Sequence, residues 1–162
     1  MKILLPKNNR NHFIKHPYTM KRNGDIIIIE DDPDDWEILL EVFNQVMDAN
    51  KYTNRVVIIE DSTMVVDFLK ESETEPFLII SDINMPLLNG FELRQSICAD
   101  PVLGKRNTPY VFLTTGGSNQ DYVDSAFKLS VNGFFVKPVT FNDYIKLISE
   151  ILGYWKTSLV PQ

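Results

Sequence analysis

Five residues of the chain have side chains that could take part in a reaction, and each of them follows or closes a short apolar run. Glu30 and Asp31 follow "IIII", Asp82 follows "FLIIS", Thr114 closes "YVFLT" and Lys137 follows "GFFV". Crowded carboxylates repel one another unless a cation lies among them or a proton is shared. Oxygen ligands suit a hard ion such as Mg²⁺, and an aspartate can act as a nucleophile toward phosphorus. If these residues meet, they could carry out phosphoryl transfer, which needs mainly positioning and charge neutralisation.

The other acids near Glu30 favour a structural explanation. Asp32 before Pro33 is typical of a helix N-cap with proline at the first helical position. Asp34 and Asp35 would then lie in the first turn, where the helix dipole favours negative charge. A turn aspartate or a solvated lysine would likewise explain single residues elsewhere. Only the joint placement of reactive groups at several strand ends favours a site.

Five apolar runs alternate with stretches of helical periodicity, which predicts five strands and five helices. The predicted strands are "DIIII", "RVVII", "FLIIS", "YVFLT" and "GFFV". They are continuously apolar, so both of their faces should be buried, as in a parallel sheet covered by helices on each side. We therefore predict an α/β fold: one domain with a five-stranded, parallel, doubly wound sheet of the flavodoxin type. Functional crevices of such sheets lie beyond the carboxyl ends of the strands.

The charge of the chain is uneven along its length. Residues 1–24 carry six Lys/Arg and no acid, which leaves 10 Lys/Arg against 22 acids, or −12, in the remainder. This negative charge of the remainder disfavours nonspecific nucleic-acid binding. We expect residues 1–24 to be a basic, disordered extension, although such a segment could also contact nucleic acid or lipid. Residues 25–153 should form the domain, with Gly153 ending the last helix and residues 154–162 forming a tail.

Three features predict a cytoplasmic protein without a membrane segment. The apolar runs are far too short to cross a bilayer, and "ILL" before Pro6 is too short for a signal peptide. The single cysteine, Cys98, excludes an internal disulfide. We expect it to be a small core residue.

Four segments resemble the receiver domain of two-component response regulators. They are "IIIIEDDPDD", "LIISDINMPLLNG", "YVFLTTGG" and "GFFVKP", and the resemblance runs from about Asp25 to Leu152. The second and fourth segments are the most specific. They place Asp-x-x-Met-Pro-x-x-x-Gly after one apolar strand and a distant Lys-Pro after another.

The resemblance implies a role for each site residue. Asp82 would be the phosphoryl acceptor. Asp31 would bind Mg²⁺ directly and Glu30 through water, while Asn84 would offer its backbone carbonyl to the ion. Lys137 would pair with the phosphoryl group, and its bond to the following proline would be cis.

Two further residues would form the conformational switch of such a domain. Phe134 occupies the place of the family's aromatic switch residue. The switch hydroxyl has two candidates in "LTTGG", because counting forward from the strand start favours Thr114 and counting back from Lys137 favours Thr115. We favour Thr114, and the conflict indicates one extra residue in the following loop.

The resemblance implies a stand-alone signalling protein rather than an enzyme. It would accept a phosphoryl group from a histidine kinase or phosphotransfer protein, and would catalyse only its own phosphorylation and dephosphorylation. No DNA-binding domain is expected after residue 153. The ending "ILGYWKTSLVPQ" resembles small regulators that partner phytochrome-type kinases, some of which form homodimers.

Two alternatives stay open. One is a pseudo-receiver that binds proteins without phosphate, which the intact acids and Lys137 disfavour. The other is an aspartate-nucleophile phosphohydrolase, which would carry a second acid two residues after the nucleophile, where this chain has Asn84.

Overall fold

The computed structural model describes the backbone of residues 2–4 and, in addition, residues 22–116 and 119–159. The strands are β1 Lys2–Leu4, β2 Ile26–Ile29, β3 Val56–Ile59, β4 Leu78–Ser81, β5 Tyr110–Thr114 and β6 Gly133–Val136. The helices are α1 Pro33–Asn50, α2 Val65–Glu71, α3 Gly90–Ala99, α4 Gln120–Lys128 and α5 Phe141–Thr157. Short 3₁₀ turns span Ser62–Met64 and Leu103–Lys105. No helix in these described ranges is long and apolar enough to span a bilayer.

The six strands form one sheet in the order β1-β3-β2-β4-β5-β6. The pairs β2–β3, β2–β4, β4–β5 and β5–β6 are parallel. All four isoleucines of β2 are buried, as expected for a central strand covered on both faces. The prediction of a single domain with five parallel strands and five helices is confirmed.

One strand was not predicted from the sequence. Lys2–Leu4 pairs antiparallel with β3, with Ile3 opposite Val57. The basic composition of this region had instead indicated a disordered extension. The pairing is physically reasonable because β3 would otherwise be an edge strand with unpaired backbone groups. The rest of the basic extension up to residue 21 lies outside the described residues.

The helices divide the core into two layers. On one face of the sheet, Ile26 and Ile28 pack with α1 and α5. On the other face, Ile27 and Ile29 pack with α2, α3 and α4. This alternation follows from the two-residue period of a strand.

The expectation that Cys98 is a core residue is wrong. Cys98 lies in α3 next to the buried Ile97, but its own side chain is exposed. At 3.6 residues per turn, consecutive helical side chains point about 100° apart, so Ile97 can face the sheet while its neighbour faces solvent.

Helix α5 passes through Gly153, where the sequence predicts its end, and continues to Thr157. Trp155 packs partly buried against the core, and Lys156 Nζ donates to Asn54 Oδ1 at 2.5 Å. A glycine inside a helix costs only about 0.5–1 kcal/mol relative to alanine. Because Trp155 and Lys156 both lie beyond Gly153 and contact the rest of the domain, the last helical turn packs on the domain rather than forming a separate tail.

Candidate functional site

The carboxyl ends of four parallel strands place the candidate residues at one edge of the sheet. Glu30 and Asp31 follow β2, Asp82 follows β4, Thr114 ends β5 and Lys137 follows β6. Backbone hydrogen bonds align these ends. The Asp82 N–H donates to the carbonyl of the last β2 residue at 3.0 Å, and the Lys137 N–H donates to Thr114 O at 2.9 Å. The convergence expected from the strand order is therefore present.

Three carboxylates form a cluster that could hold a cation. Oxygen atoms of Glu30, Asp31 and Asp82 all lie within 4.8 Å of one another. Glu30 and Asp82 are buried, and Asp31 is half-buried. A set of carboxylate oxygens at this spacing fits a hard divalent ion, which takes oxygen ligands and leaves other positions to water.

Lys137 points its ammonium group at this cluster. Its Nζ lies 2.6 Å from Glu30 Oε2, 2.7 Å from Asp35 Oδ2 and 3.3 Å from Asp82 Oδ2, and its side chain is only 2% exposed. Burial from water lowers the pKa of Lys137, but the hydrogen bonds to Asp35 and Glu30 outweigh burial and raise the pKa above its ordinary value. The lysine is therefore a fixed positive charge among the acids.

Glu30 is held from two sides. Its Oε1 accepts from the Asp32 N–H at 3.1 Å, while Oε2 accepts from Lys137. Burial raises the pKa of Glu30 to about 7, although the contact with Lys137 acts in the opposite direction. A cation at the cluster would add to the effect of the lysine and favour the ionised carboxylate.

The carboxylate of Asp82 is oriented by its own loop. Its Oδ1 accepts from the Ile83 N–H at 2.7 Å, which leaves Oδ2 on the side of Lys137. Gly90, the glycine that closes the motif, lets the start of α3 approach this loop closely. A Cβ added to Gly90 would lie 2.4 Å from the Asp82 carbonyl oxygen. The motif therefore needs a residue without a side chain at this position.

The two candidate threonines differ in their surroundings. Thr114 is buried at the end of β5, and its Oγ1 lies 3.5 Å from Asn84 Nδ2 and donates to Thr115 O at 3.3 Å. The side chain of Thr115 is exposed. The Asn84 amide also lies 3.5 Å from the Thr115 carbonyl. The hydroxyl beside the Asp82 loop thus belongs to Thr114.

Phe134 lies in β6, half-buried against the layer formed by α2, α3 and α4. Its ring meets Phe112 edge-on, with the ring centroids 6.4 Å apart, and Phe112 meets Phe91 of α3 in the same way at 5.5 Å. Phe134 is connected to the site through its strand, because Lys137 follows β6 directly.

Two expectations need correction. Asp32 does cap α1, since its Oδ1 accepts from the Asp34 N–H at 2.9 Å, but Asp35 does more than stabilise the first turn. The Asp35 carboxylate contacts Lys137, and this contact was not predicted from the sequence. A usable signal was present, because side chains of the first helical turn point back toward the helix N-terminus, which here lies at the carboxyl edge of the sheet.

The expected cis bond between Lys137 and Pro138 is also wrong, since no described peptide bond is cis.

Comparison with known proteins places the chain among receivers. Residues 26–149 match the family model described as response regulator receiver domain. The response regulator Rcp1 of Synechocystis sp. is 28% identical over 135 residues, which cover 80% of this chain and 87% of Rcp1.

Solved structures agree with that match. The Mn²⁺-bound form of Rcp1 superimposes with a TM-score of 0.69 at 27% identity, covering 86% of this chain and 99% of that one. The bacteriophytochrome response regulator RtBRR has a TM-score of 0.63 at 28% identity, covering 79% and 77%. The family match spans most of the chain and includes the acids and the lysine that meet at the sheet edge. The chain belongs to the response regulator receiver domain family.

Proposed function

We propose that this protein is a phosphoryl-accepting response regulator whose acceptor is Asp82. The observation that carries the proposal is the convergence of Asp82, the acid pair Glu30 and Asp31, and the Lys137 ammonium in one largely buried cluster. The donor would be the phosphohistidine of a histidine kinase or of a phosphotransfer protein.

In the proposed transfer, a carboxylate oxygen of Asp82 attacks the phosphorus of the phosphohistidine. The O–P bond forms as the N–P bond breaks, and the electron pair of that bond stays on the imidazole nitrogen, which then takes a proton from solvent. Lys137 donates a hydrogen bond to a phosphoryl oxygen. Glu30, Asp31, Asp82 and the carbonyl of Asn84 would hold Mg²⁺, which neutralises phosphoryl charge when bound.

The signal would be a local rearrangement started by the new charge. The hydroxyl of Thr114 donates to a phosphoryl oxygen, which moves the loop after β5. Phe134 then repacks against Phe112, and the surface formed by α4, β6 and α5 changes. Output follows by protein contact or phosphate relay, and the only catalysis proposed is the domain's own phosphorylation and dephosphorylation.

The nature of the partner is suggested by the relatives. RtBRR is described as a bacteriophytochrome response regulator, and Rcp1 crystallises with Mn²⁺ in a structure of closely similar fold. We therefore infer that the donor is a phytochrome-type histidine kinase and that the divalent cation is Mg²⁺ in the cell. We also propose that the protein is cytoplasmic and that it forms a homodimer.

The test is intact-mass measurement after incubation with acetyl phosphate and Mg²⁺. We expect the wild-type protein to gain one phosphoryl group, and EDTA or the Asp82→Asn variant to abolish the gain. Mg²⁺-dependent binding of beryllofluoride, a mimic of the phosphoryl group, tests the site even if acetyl phosphate does not react with the protein. Failure of both assays in folded protein would refute the proposal and favour a phosphate-independent binding module.

A further inference from the structure

The ammonium group of Lys137 has a carboxylate partner that does not belong to the cation cluster. We propose that Asp35 is a positioning residue for Lys137. It holds the ammonium in place while Glu30 and Asp82 interact with the cation and the phosphoryl group. The part of this proposal that concerns the phosphoryl group rests on the proposed function, whereas the part that concerns the cation does not.

The distances indicate which carboxylates hold the ammonium. Its nitrogen lies 2.7 Å from Asp35 and 2.6 Å from Glu30, but 3.3 Å from Asp82. A lysine ammonium has three N–H donors, so each carboxylate can accept one of them. In this arrangement the ammonium lies on the side of Glu30 and Asp35, and its weakest contact is with the proposed phosphoryl acceptor.

Asp35 differs from the other two partners in what it can do. The oxygens that could hold a cation belong to Glu30, Asp31 and Asp82, and Asp35 is outside this set. Asp35 is also fixed by secondary structure, because it lies in the first turn of the 18-residue helix α1, whose N-cap is satisfied by Asp32. Its side chain is 32% exposed, so it bears less desolvation cost than the buried pair.

A cation bound at the cluster would neutralise the negative charges of Glu30 and Asp82, which would then be weaker partners for Lys137. The side chain of Lys137 is 2% exposed, and a buried ammonium left without a counter-ion is strongly unfavourable. Asp35 is the partner that can keep this role when the others are engaged. It holds one N–H donor in place and leaves the other two directed toward the pocket.

Removing Asp35 should therefore make Lys137 a competitor of the cation. The ammonium would have only Glu30 and Asp82 as carboxylate partners, and both are candidate cation ligands. The affinity for Mg²⁺ should fall, and it should fall because Lys137 is present. An ordinary loss of negative charge near the site would instead weaken Mg²⁺ binding whether or not the lysine is there.

This difference defines a double-mutant cycle, read out as the Mg²⁺ dissociation constant by calorimetry. We expect Asp35→Ala to weaken binding about fivefold or more in the wild-type background, a coupling typical of residues in contact. In the Lys137→Met background the same change should stay within about twofold, below typical coupling energies. The exposed neighbour Asp34, which carries the same charge one residue earlier in the same helical turn, provides the matched control, and Asp34→Ala should behave alike in both backgrounds. Equal weakening by Asp35→Ala with and without Lys137, or no weakening at all, would overturn the proposal.

A second measurement does not depend on the stability of the lysine variant. The Nζ ammonium of Lys137 can be followed by ¹⁵N NMR in the metal-free protein, where its burial should slow hydrogen exchange. Asp35→Ala should accelerate this exchange and shift the resonance, and Asp34→Ala should leave both unchanged. An unchanged signal in Asp35→Ala would show that Asp35 does not hold the ammonium.

The phosphoryl part is tested with beryllofluoride in saturating Mg²⁺. Asp35→Ala should bind it several-fold more weakly than the Asp34→Ala control. If wild-type protein binds no beryllofluoride, the proposed function fails, while the cycle and the NMR signal still decide whether Asp35 anchors Lys137. If wild type binds it and Asp35→Ala binds it equally well, the positioning role toward the phosphoryl group fails alone.

Discussion

At the scale of single residues, two lysines have opposite surroundings. Lys137 is paired with carboxylates at the carboxyl edge of the sheet. Lys156, near the end of α5, has neutral partners among its described contacts: Asn54 Oδ1 accepts from its ammonium, and the rings of Tyr52 and Phe77 lie 4.7 and 4.8 Å from it. The charge of Lys137 is therefore stabilised by ion pairs, whereas Lys156 is held by dipoles and ring faces.

The surroundings of Lys156 predict a pH dependence of stability. Burial from water, and then the positive charge of Arg22, lower the pKa of Lys156 from 10.5 to about 8. Between these two values the unfolded chain binds more protons at this lysine than the folded protein does, so stability should rise with pH across this window. We expect the free energy of unfolding, measured in urea from pH 7.5 to 10, to rise for wild type relative to Lys156→Met.

The exposed Lys128 of α4 provides the control for this prediction. Its replacement by Met should leave the pH slope of wild type unchanged. Parallel curves for wild type and Lys156→Met would show instead that the Asn54 side-chain oxygen and the ring faces keep the ammonium charged throughout the window.

At the scale of elements, two helical glycines should respond oppositely to the same change. A Cβ on Gly90, at the start of α3, would lie 2.4 Å from the Asp82 carbonyl oxygen and 2.7 Å from Ile83 Cα, and both are backbone atoms that cannot easily move. A Cβ on Gly153, inside α5, would meet nothing within 4 Å. The first glycine permits a close contact between elements, whereas the second only weakens its own helix.

We therefore expect Gly90→Ala to destabilise the protein by about 1–3 kcal/mol or more, as overpacking does. Gly153→Ala should stabilise it by about 0.5–1 kcal/mol through helix propensity. Urea denaturation of both variants beside wild type measures the two effects under the same conditions. Gly90→Ala with wild-type stability would mean that α3 can move away from the Asp82 loop at little cost.

At the scale of the whole molecule, β1 is an addition to the parallel sheet rather than a part of its core. It contributes three residues, all paired with β3, the outermost of the parallel strands. A chain that begins at Met20 would lack β1 but would keep every parallel strand, both core layers and the site. We expect this truncated protein to unfold cooperatively and to take up a phosphoryl group as we propose for the full chain.

The change expected in the truncated protein is local. Hydrogen–deuterium exchange should become faster in β3, because its edge loses the antiparallel partner, and should stay unchanged in β4 and β5. Loss of cooperative unfolding would mean that residues 1–19 are needed for the fold. Unchanged exchange in β3 would show that β1 does not pair stably in solution.

The sequence by itself determined the order of the elements and most of the site. Apolar runs such as "IIII" and "LIIS" could only be buried strands, and the helical stretches between them required parallel pairing. Parallel strands end at the same edge, so the residues that follow them had to meet. For this reason Asp82 and Lys137 could be placed together although they lie 55 positions apart along the chain.

Only the tertiary structure decided the features that depend on how separate elements pack. Thr114 is buried and its hydroxyl lies near the Asn84 amide, whereas Thr115 is exposed, and this difference supports Thr114 as the proposed switch hydroxyl. The contact between Asp35 and Lys137 depends on the rotation of α1 about its axis, and this rotation is set by packing against the sheet. Local propensity contains no information about contacts between residues distant in sequence, and for this reason the contact of Asp35 with Lys137 and the pairing of β1 with β3 appear only in the tertiary structure.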